Sequence, residues 1–382
     1  MKLGSVCNLN KQSYSLSENW DFVNYLDTGN ITENHIDEIQ RIITATDKLP
    51  SRARRKVAVG DILYSTVRPN QRHYGIVKES LKNMLVSTGF AVITADKSQA
   101  NNDYLYYYLT QDEIVDSLHA IGEQAVSAYP SIKPSDLANL EIDLPDLDTQ
   151  CTIASTLSCL DAKIAVNNRI NQNLEQTAQV AFEEFLVTQC KDEPMGVLSD
   201  IAEINPQRTL KKGTDAIYVE MANLPTKSSF PMDWTVRPIS GGMKFTNGDT
   251  IMARITPCLE NGKTAYINFL AEDEVAFGST EYIVIAPKTS YCNEMFYFLA
   301  RYPDFVSYAV GNMNGTSGRQ RVSAESIGRY ELNIPSVEYV CKFAEIATPI
   351  METIRQNSLD NRHLVEMRDS LLPKLMSGEV RV

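Results

Sequence analysis

The strongest constraint on how this chain folds is a heptad pattern that occurs twice. Counting from Cys151 to Phe185 in alternating steps of four and three, Ile153, Leu157, Leu160, Ile164, Asn167, Asn171, Leu174, Ala178, Ala181 and Phe185 form one seam. Such a seam marks a helix that packs lengthwise on another helix. Moving 190 residues along gives Phe343, Ala347, Ile350, Ile354, Asn357, Asn361, Leu364, Arg368, Leu371 and Leu375. The two seams agree almost position for position, down to a pair of asparagines at the middle of each.

At ~1.5 Å per residue, about 40 residues make a rod of roughly 60 Å, which alone would leave its apolar seam in water. Packing the two rods on each other removes that cost. The segment between them leaves one helix near Cys190 and enters the other near Val337, and the ends of a domain usually lie close together, so the helices are expected to run antiparallel. In that register Asn167 faces Asn361, Asn171 faces Asn357, Ile164 meets Leu364 and Leu174 meets Ile354. A polar layer inside an apolar seam lowers stability but penalises slipped pairings, which would bury an amide against leucine. Arg368 interrupts the second seam opposite Leu160 and is expected to snorkel outward.

The segments outside the helices repeat as well. Gly248-Asp249 answers Gly60-Asp61, and Ala253 to Pro257 answers Ser65 to Pro69. Ser279 to Ile285 answers Ser87 to Ile93, Asn293 to Leu299 answers Asn102 to Leu109, and Glu331 to Pro335 answers Glu141 to Pro145. A period this long denotes a duplicated domain. Four segments follow: a first lobe over 1–146, a long helix over 147–190, a second lobe over 191–336 and a second long helix over 337–382. The expected fold class is α+β, with two α/β lobes set apart by an antiparallel coiled coil and related by a pseudo-two-fold axis. In the first lobe, Val57–Val67 and Leu85–Ala95 read as strands and Asp103–Leu118 as a helix.

Composition narrows the function classes. The net charge of −12 is spread as −5, −4, −2 and −1 over 1–146, 147–194, 195–336 and 337–382. With no basic segment, any anion-binding surface is a local patch, or a partner supplies most of the positive field. The longest apolar run, Met84–Ala95, is too short to span a membrane, and MKLGSVCNLNKQ lacks a secretory signal, so a cytoplasmic location is expected. Seven cysteines without a C-x-x-C pair suit buried reduced thiols. None of the common nucleotide-binding, zinc-protease or serine-hydrolase motifs occurs, and the four histidines lack metal-ligand spacing. No catalytic or metal-binding residues are assigned.

Binding chemistry is better represented. The first lobe carries Arg52, Arg54 and Arg55 in one basic run, then Arg68, Asn70 and Arg72 in a loop between strands. The second lobe carries Arg254, with Asn261 and Lys263 in the corresponding loop, and Ser317, Arg319, Gln320 and Arg321 in a glycine-flexible loop. Arginine, asparagine and glutamine can bond base edges at two points, while lysine, serine and backbone amides suit phosphates. A basic turn is also often only a solvated surface, and Arg68 and Arg254 equally suit salt bridges across a loop base.

Taken together, the two lobes, the endings Leu140–Pro145 and Tyr330–Pro335, the stretch Asp161–Asn168 and the C-terminal Ser370–Val380 resemble the specificity subunit of type I restriction-modification systems. The resemblance covers essentially the whole chain. It implies a non-catalytic subunit in which each lobe is a target recognition domain for half of a bipartite DNA site, while the helices set the gap and dock two methyltransferase subunits. S-adenosylmethionine would belong to that adenine methyltransferase, and ATP and Mg to a motor-nuclease subunit that may join the complex, so that this chain itself holds no cofactor. Phe182, Phe185, Leu371, Leu372 and Met376 leave more apolar surface near the helix ends than one seam needs, and are expected to dock the methyltransferase. The competing class is a scaffold whose lobes bind proteins or glycans, with the helices as a passive spacer.

Overall fold

A computed structural model describes residues 1–124, 129–288, 291–316 and 318–381. The chain divides into two compact units, Met1–Ala162 with Leu364–Val382, and Lys163–His363. Each contains two four-stranded sheets and a stretch of both long helices.

In the first unit, one sheet runs in the order Cys7–Leu9, Phe90–Ala95, Ile62–Ser65, Tyr74–Ile76, all antiparallel. The other runs Gln40–Ile43, Phe22–Leu26, Met84–Ser87, Ala53–Lys56, with a parallel pair at its centre. Successive residues of a strand point to opposite faces. Ile62, Tyr64, Ala91 and Ile93 accordingly enter a core shared with the helical residues Leu105, Leu109 and Leu118, while Leu63, Phe90 and Val92 pack with Leu26 and Val86 of the second sheet. Because the central strands are buried on both faces, they read as near-continuous apolar runs instead of alternating ones.

The second unit shows the same strand orders. One sheet runs Ala202–Ile204, Tyr282–Pro287, Thr250–Ala253, Thr264–Tyr266, and the other Thr235–Pro238, Asp215–Val219, Ala276–Gly278, Met243–Phe245, again with a parallel central pair. Met252, Ile283 and Ile285 face a helix-side core, and Ile251, Tyr282 and Val284 the sheet-side one. Local devices recur too. Asn10 and Asn205 adopt left-handed backbone, with φ of 54° and 55°, and their side-chain oxygens accept from Val92 N and Val284 N at 3.0 and 2.9 Å. Gly60 and Gly248 have φ of 94° and 89°, and a Cβ there would lie 2.4 and 2.2 Å from the amides of Asn102 and Asn293. Glycine is the residue that permits both the left-handed turn and the close approach.

Three sequence expectations change. The Val57–Val67 run is a strand only over Ile62–Ser65, because Gly60-Asp61 forms the turn that precedes it. Leu85–Ala95 is two strands in different sheets, parted at Thr88-Gly89, where Thr66 N and Oγ donate to the Gly89 carbonyl at 2.8 and 2.9 Å. The helix over Asp103–Leu118 breaks at Gln111, whose ψ of 140° ends Asn102–Thr110 before Asp112–Glu123 begins.

The long helices span Leu147–Glu184 and Val337–Met376, the first continuing as a π-turn over Phe185–Gln189. Within the second unit, rising numbers on one meet falling numbers on the other. Asn167 Nδ2 donates to Asn361 Oδ1 at 2.8 Å, Asn357 Nδ2 to Asn171 Oδ1 at 2.8 Å, and the Phe185 ring stacks on Phe343 at 5.2 Å. Asn361 Nδ2 donates in turn to Asn168, and Asn171 Nδ2 to Ser358. Within the first unit, Ile153 and Leu157 share a core with Leu375, and Leu371, Leu372 and Met376 pack half-buried against it. Arg368 does not snorkel outward: its guanidinium donates to Asp161 at 2.9 Å and pairs with Asp369 at 2.8 Å, a nearer partner than solvent.

Asn167 is 1% exposed and its own Oδ1 has no hydrogen-bond partner. The amide layer therefore carries a cost to stability, as expected of a polar layer inside an apolar seam. Asn167→Leu alone should destabilise the chain by about 1–3 kcal/mol, since it strands the Asn361 acceptor in the interior. Replacing Asn167, Asn171, Asn357 and Asn361 together by leucine should instead raise the thermal midpoint, a sign difference that thermal denaturation of the two variants reads directly.

Candidate nucleic-acid interface

In the second unit, folding brings the sequence-predicted loops together. Ile255 bridges Arg321, Thr256 N donates to the Gln320 carbonyl at 3.0 Å, and Val322 N to the Arg254 carbonyl at 3.0 Å. Arg254, Arg319, Gln320 and Arg321 thus lie on adjoining backbone, and Ala253 N donates to the Lys263 carbonyl to close the loop that presents Asn261. Ser317 lies outside the described residues.

The side chains differ in what remains available. Arg321 forks onto Glu281, with Nε at 2.9 and 3.0 Å and Nη2 at 2.7 Å, and its Nη1 donates to the Arg319 carbonyl. It braces the loop, and each of its three nitrogens is engaged. Lys263 is likewise turned inward, Nζ donating to the Met221 carbonyl at 2.7 Å. Arg319 and Asn261 are exposed and Gln320 half-buried. Arg254 is half-buried, its Nε without a hydrogen-bond partner, beside the Glu281 carboxylate whose charge it favours. What stands clear is an arginine, a glutamine and an asparagine over a braced floor, a donor and acceptor set suited to base edges.

The first unit is arranged differently. Arg72 is held by Asp112 at 2.7 Å and Glu33 at 3.5 Å, which ties its loop to the Asp112–Glu123 helix. Arg68 takes left-handed backbone and lays its guanidinium 4.5 Å from the centre of the Tyr129 ring. Asn70 and Arg52 are exposed, Arg54 and Arg55 half-buried. The Arg52 carbonyl accepts from Thr88 N at 2.8 Å, which sets the basic run beside the Ser87–Gly89 turn and the Thr66 backbone.

Two arginines escaped sequence reading. Arg41 and Arg237 sit exposed on the edge strands Gln40–Ile43 and Thr235–Pro238, each stacked on an aromatic ring of the neighbouring strand, Phe22 at 4.4 Å and Tyr218 at 3.3 Å. Neither belongs to a charge run, so neither stands out in the sequence.

The docking residues divide. Phe182 and Phe185 are 1% and 2% exposed, buried among Phe298, Tyr302 and Phe343, so they are core and leave no ring for a partner. The physical reason is that the helix end they occupy is already covered by the unit's own Asn293–Arg301 helix. Leu371, Leu372 and Met376 keep partial exposure. Apolar side chains that do face solvent on the central helix are Val166, Ile170 and Val180.

No helix among the described residues is long and apolar enough to cross a membrane, and none of them form a cluster with the makings of a metal site.

Two four-stranded sheets per unit, served by long helices, with polar loops at the surface, define an α/β architecture found in known proteins. Residues 1–176 match the family model described as "Type I restriction modification DNA specificity domain". The chain is 23% identical to the type I restriction enzyme HindI specificity subunit of Haemophilus influenzae over 96% of its own length and 97% of the relative's. It is 25% identical to the MjaIX specificity subunit of Methanocaldococcus jannaschii, over 85% and 78%. The solved S subunit of a type I restriction-modification system from M. genitalium shares the fold, with a TM-score of 0.60 at 15% identity, covering 98% of this chain and 95% of that one. Residues 1–176 thus match that specificity domain, and along nearly its whole length the chain is similar to specificity subunits of type I restriction-modification systems.

The Arg321 fork carries a pH signature. Hydrogen bonding to Arg321 holds the Glu281 carboxyl below its ordinary value, with burial opposing and Arg254 assisting. A depressed folded pKa contributes stability above the unfolded pKa, and that stability is lost as pH falls through the folded one. Wild-type stability should therefore decline as pH falls below about 4, and Arg321→Ala should show a shallower decline. Denaturant titrations across the acid range compare the slopes; equal slopes would mean that the fork contributes nothing.

Proposed function

We propose that this chain reads a bipartite DNA duplex, one half-site per lobe, and presents it to partner subunits that methylate adenine and cleave DNA. The observation that carries this reading is the recurrence of one sheet architecture with arginine- and asparagine-bearing loops at corresponding places, on helices whose asparagines pair across the seam. Two lobes related by a pseudo-two-fold axis would match the local dyad of duplex DNA, with half-sites about one turn apart. No residue of this chain is assigned to catalysis; S-adenosylmethionine would be bound by the methyltransferase, and ATP and Mg by a motor-nuclease subunit. The acidic balance fits a subunit whose partners also embrace the duplex.

Within this reading the base contacts of the second half-site come from Asn261, Arg319 and Gln320, with Arg254 beside them. Those of the first come from Asn70, Arg52 and Arg68, with Arg54 and Arg55 toward phosphates. Arg319→Ala should cost specific binding about 1–3 kcal/mol at one base pair of one half-site. Loss of a phosphate contact should instead weaken all sequences alike and lower the salt slope by about 0.9. Competition binding of the assembled methyltransferase to duplexes substituted base by base separates the two, and a flat response would support the protein- or glycan-binding scaffold instead.

The methyltransferase is proposed to dock on the helices through Val166, Ile170 and Val180, with Leu371, Leu372 and Met376. Val166→Glu with Ile170→Glu should abolish co-purification of the methyltransferase while leaving the chain folded by circular dichroism; Phe182→Leu, an interior change, should lower the melting temperature and leave co-purification intact.

A further inference from the structure

Glu175 is an acid in the wrong place for a plain coiled coil. It lies on the central helix, 8% exposed, and burial raises its pKa against the opposing pull of Tyr297, Arg301 and Ser229. Tyr297, fully buried in the Asn293–Arg301 helix, donates its hydroxyl to Glu175 Oε1. One turn further along that helix, Arg301 brings its Nε to 3.9 Å from the same oxygen. The far side of the guanidinium donates to two backbone carbonyls, Thr226 at 2.8 Å and Gly262 at 3.3 Å. Gly262 sits between Asn261 and Lys263, in left-handed backbone with φ of 72°.

A buried acid held only by the neutral donors Tyr297 and Ser229 would be a costly packing choice, since a buried charge is destabilising without full compensation. The planar fork of arginine makes sense of it. One edge faces the carboxylate, and the others bond carbonyls in a fixed plane, which lysine cannot do. The chain of contacts therefore runs from the helix, through one ion pair, to the backbone of the loop that presents Asn261.

Among the described residues, the first unit lacks this route. There Asp161 of the central helix takes Tyr107 Oη at 2.5 Å, and its arginine is Arg368, supplied by the C-terminal helix. Among the described contacts, Arg368 goes no further than Asp369, and the Arg72 loop is anchored to Asp112 instead. A tyrosine and a carboxylate meet in both units, but only in the second does the arginine reach a loop.

We infer that Glu175 and Arg301 are positioning residues that tie the Asn261 loop to the central helix, so that the helix sets the base-reading edge of the second unit. This rests on the DNA-reading function proposed above.

The test maps adenine methylation in the genome of cells carrying the complete system, with the wild-type chain, Glu175→Gln, Arg301→Lys and Tyr297→Phe. Arg301→Lys keeps the cation beside Glu175 and disturbs packing least, so it remains informative where Glu175→Gln accumulates poorly. The expected result is a rise of about tenfold in methylation of sites mismatched in one half of the motif, with fidelity in the other half unchanged. Arg301→Lys and Glu175→Gln should relax the same half, and Tyr297→Phe, which leaves the arginine bridge in place, should relax it less. A merely structural role would lower protein level and total methylation without favouring one half. Unchanged fidelity in both halves for Arg301→Lys, or equal relaxation of both, overturns the inference. A wild-type map without any bipartite motif overturns the parent reading instead.

Discussion

The pairing of amides inside an apolar seam is the interaction on which the second unit depends. Leucine and isoleucine would pack at several offsets, because aliphatic contacts are nearly interchangeable along a heptad repeat. Asn167 on Asn361 and Asn357 on Asn171, each at 2.8 Å, would lose these bonds in a slipped pairing. With the offset set, Phe185 meets Phe343 and the aromatic cluster around Phe182 can close. Burying each of these rings is worth about 1.5–3 kcal/mol, so a small polar layer decides how a much larger apolar term is collected.

The long helices and the duplication were legible because both are periodic signals that survive divergence. The asparagine pairing followed from counting alone. The boundaries of strands were not legible, for a reason visible in Leu85–Ala95: strands buried on both faces lose their alternation, so a turn of two residues, Thr88-Gly89, is hidden inside an apolar run. The candidate site was half legible. Residue types and their places were readable, but whether a guanidinium is offered to solvent or occupied by an acid distant in sequence was not. Glu281 lies 40 residues from Arg321 and Asp112 lies 40 from Arg72, and nothing in a local motif announces either pairing. Phe182 was misjudged for the same reason, since the helix that covers it is more than a hundred residues away.

Those pairings bear on how an acidic chain can face a polyanion. Arginines that look like free charge in the sequence are partly consumed by the fold: Arg72 and Arg321 are paired with carboxylates. On the proposed function, a reader built this way would contribute discrimination, through a few exposed side chains on braced loops, and leave the sequence-independent part of binding to whatever else holds the duplex.

Asn314 and Arg321 exchange backbone hydrogen bonds at 2.9 Å in both directions, so the chain between them begins and ends at the same closed rung. Lengthening a loop whose ends are already joined adds only a slowly growing entropic term, and none of the unit's buried core lies between those two residues. New side chains can be trialled there by insertion, deletion or recombination while the fork on Glu281 keeps the rung shut.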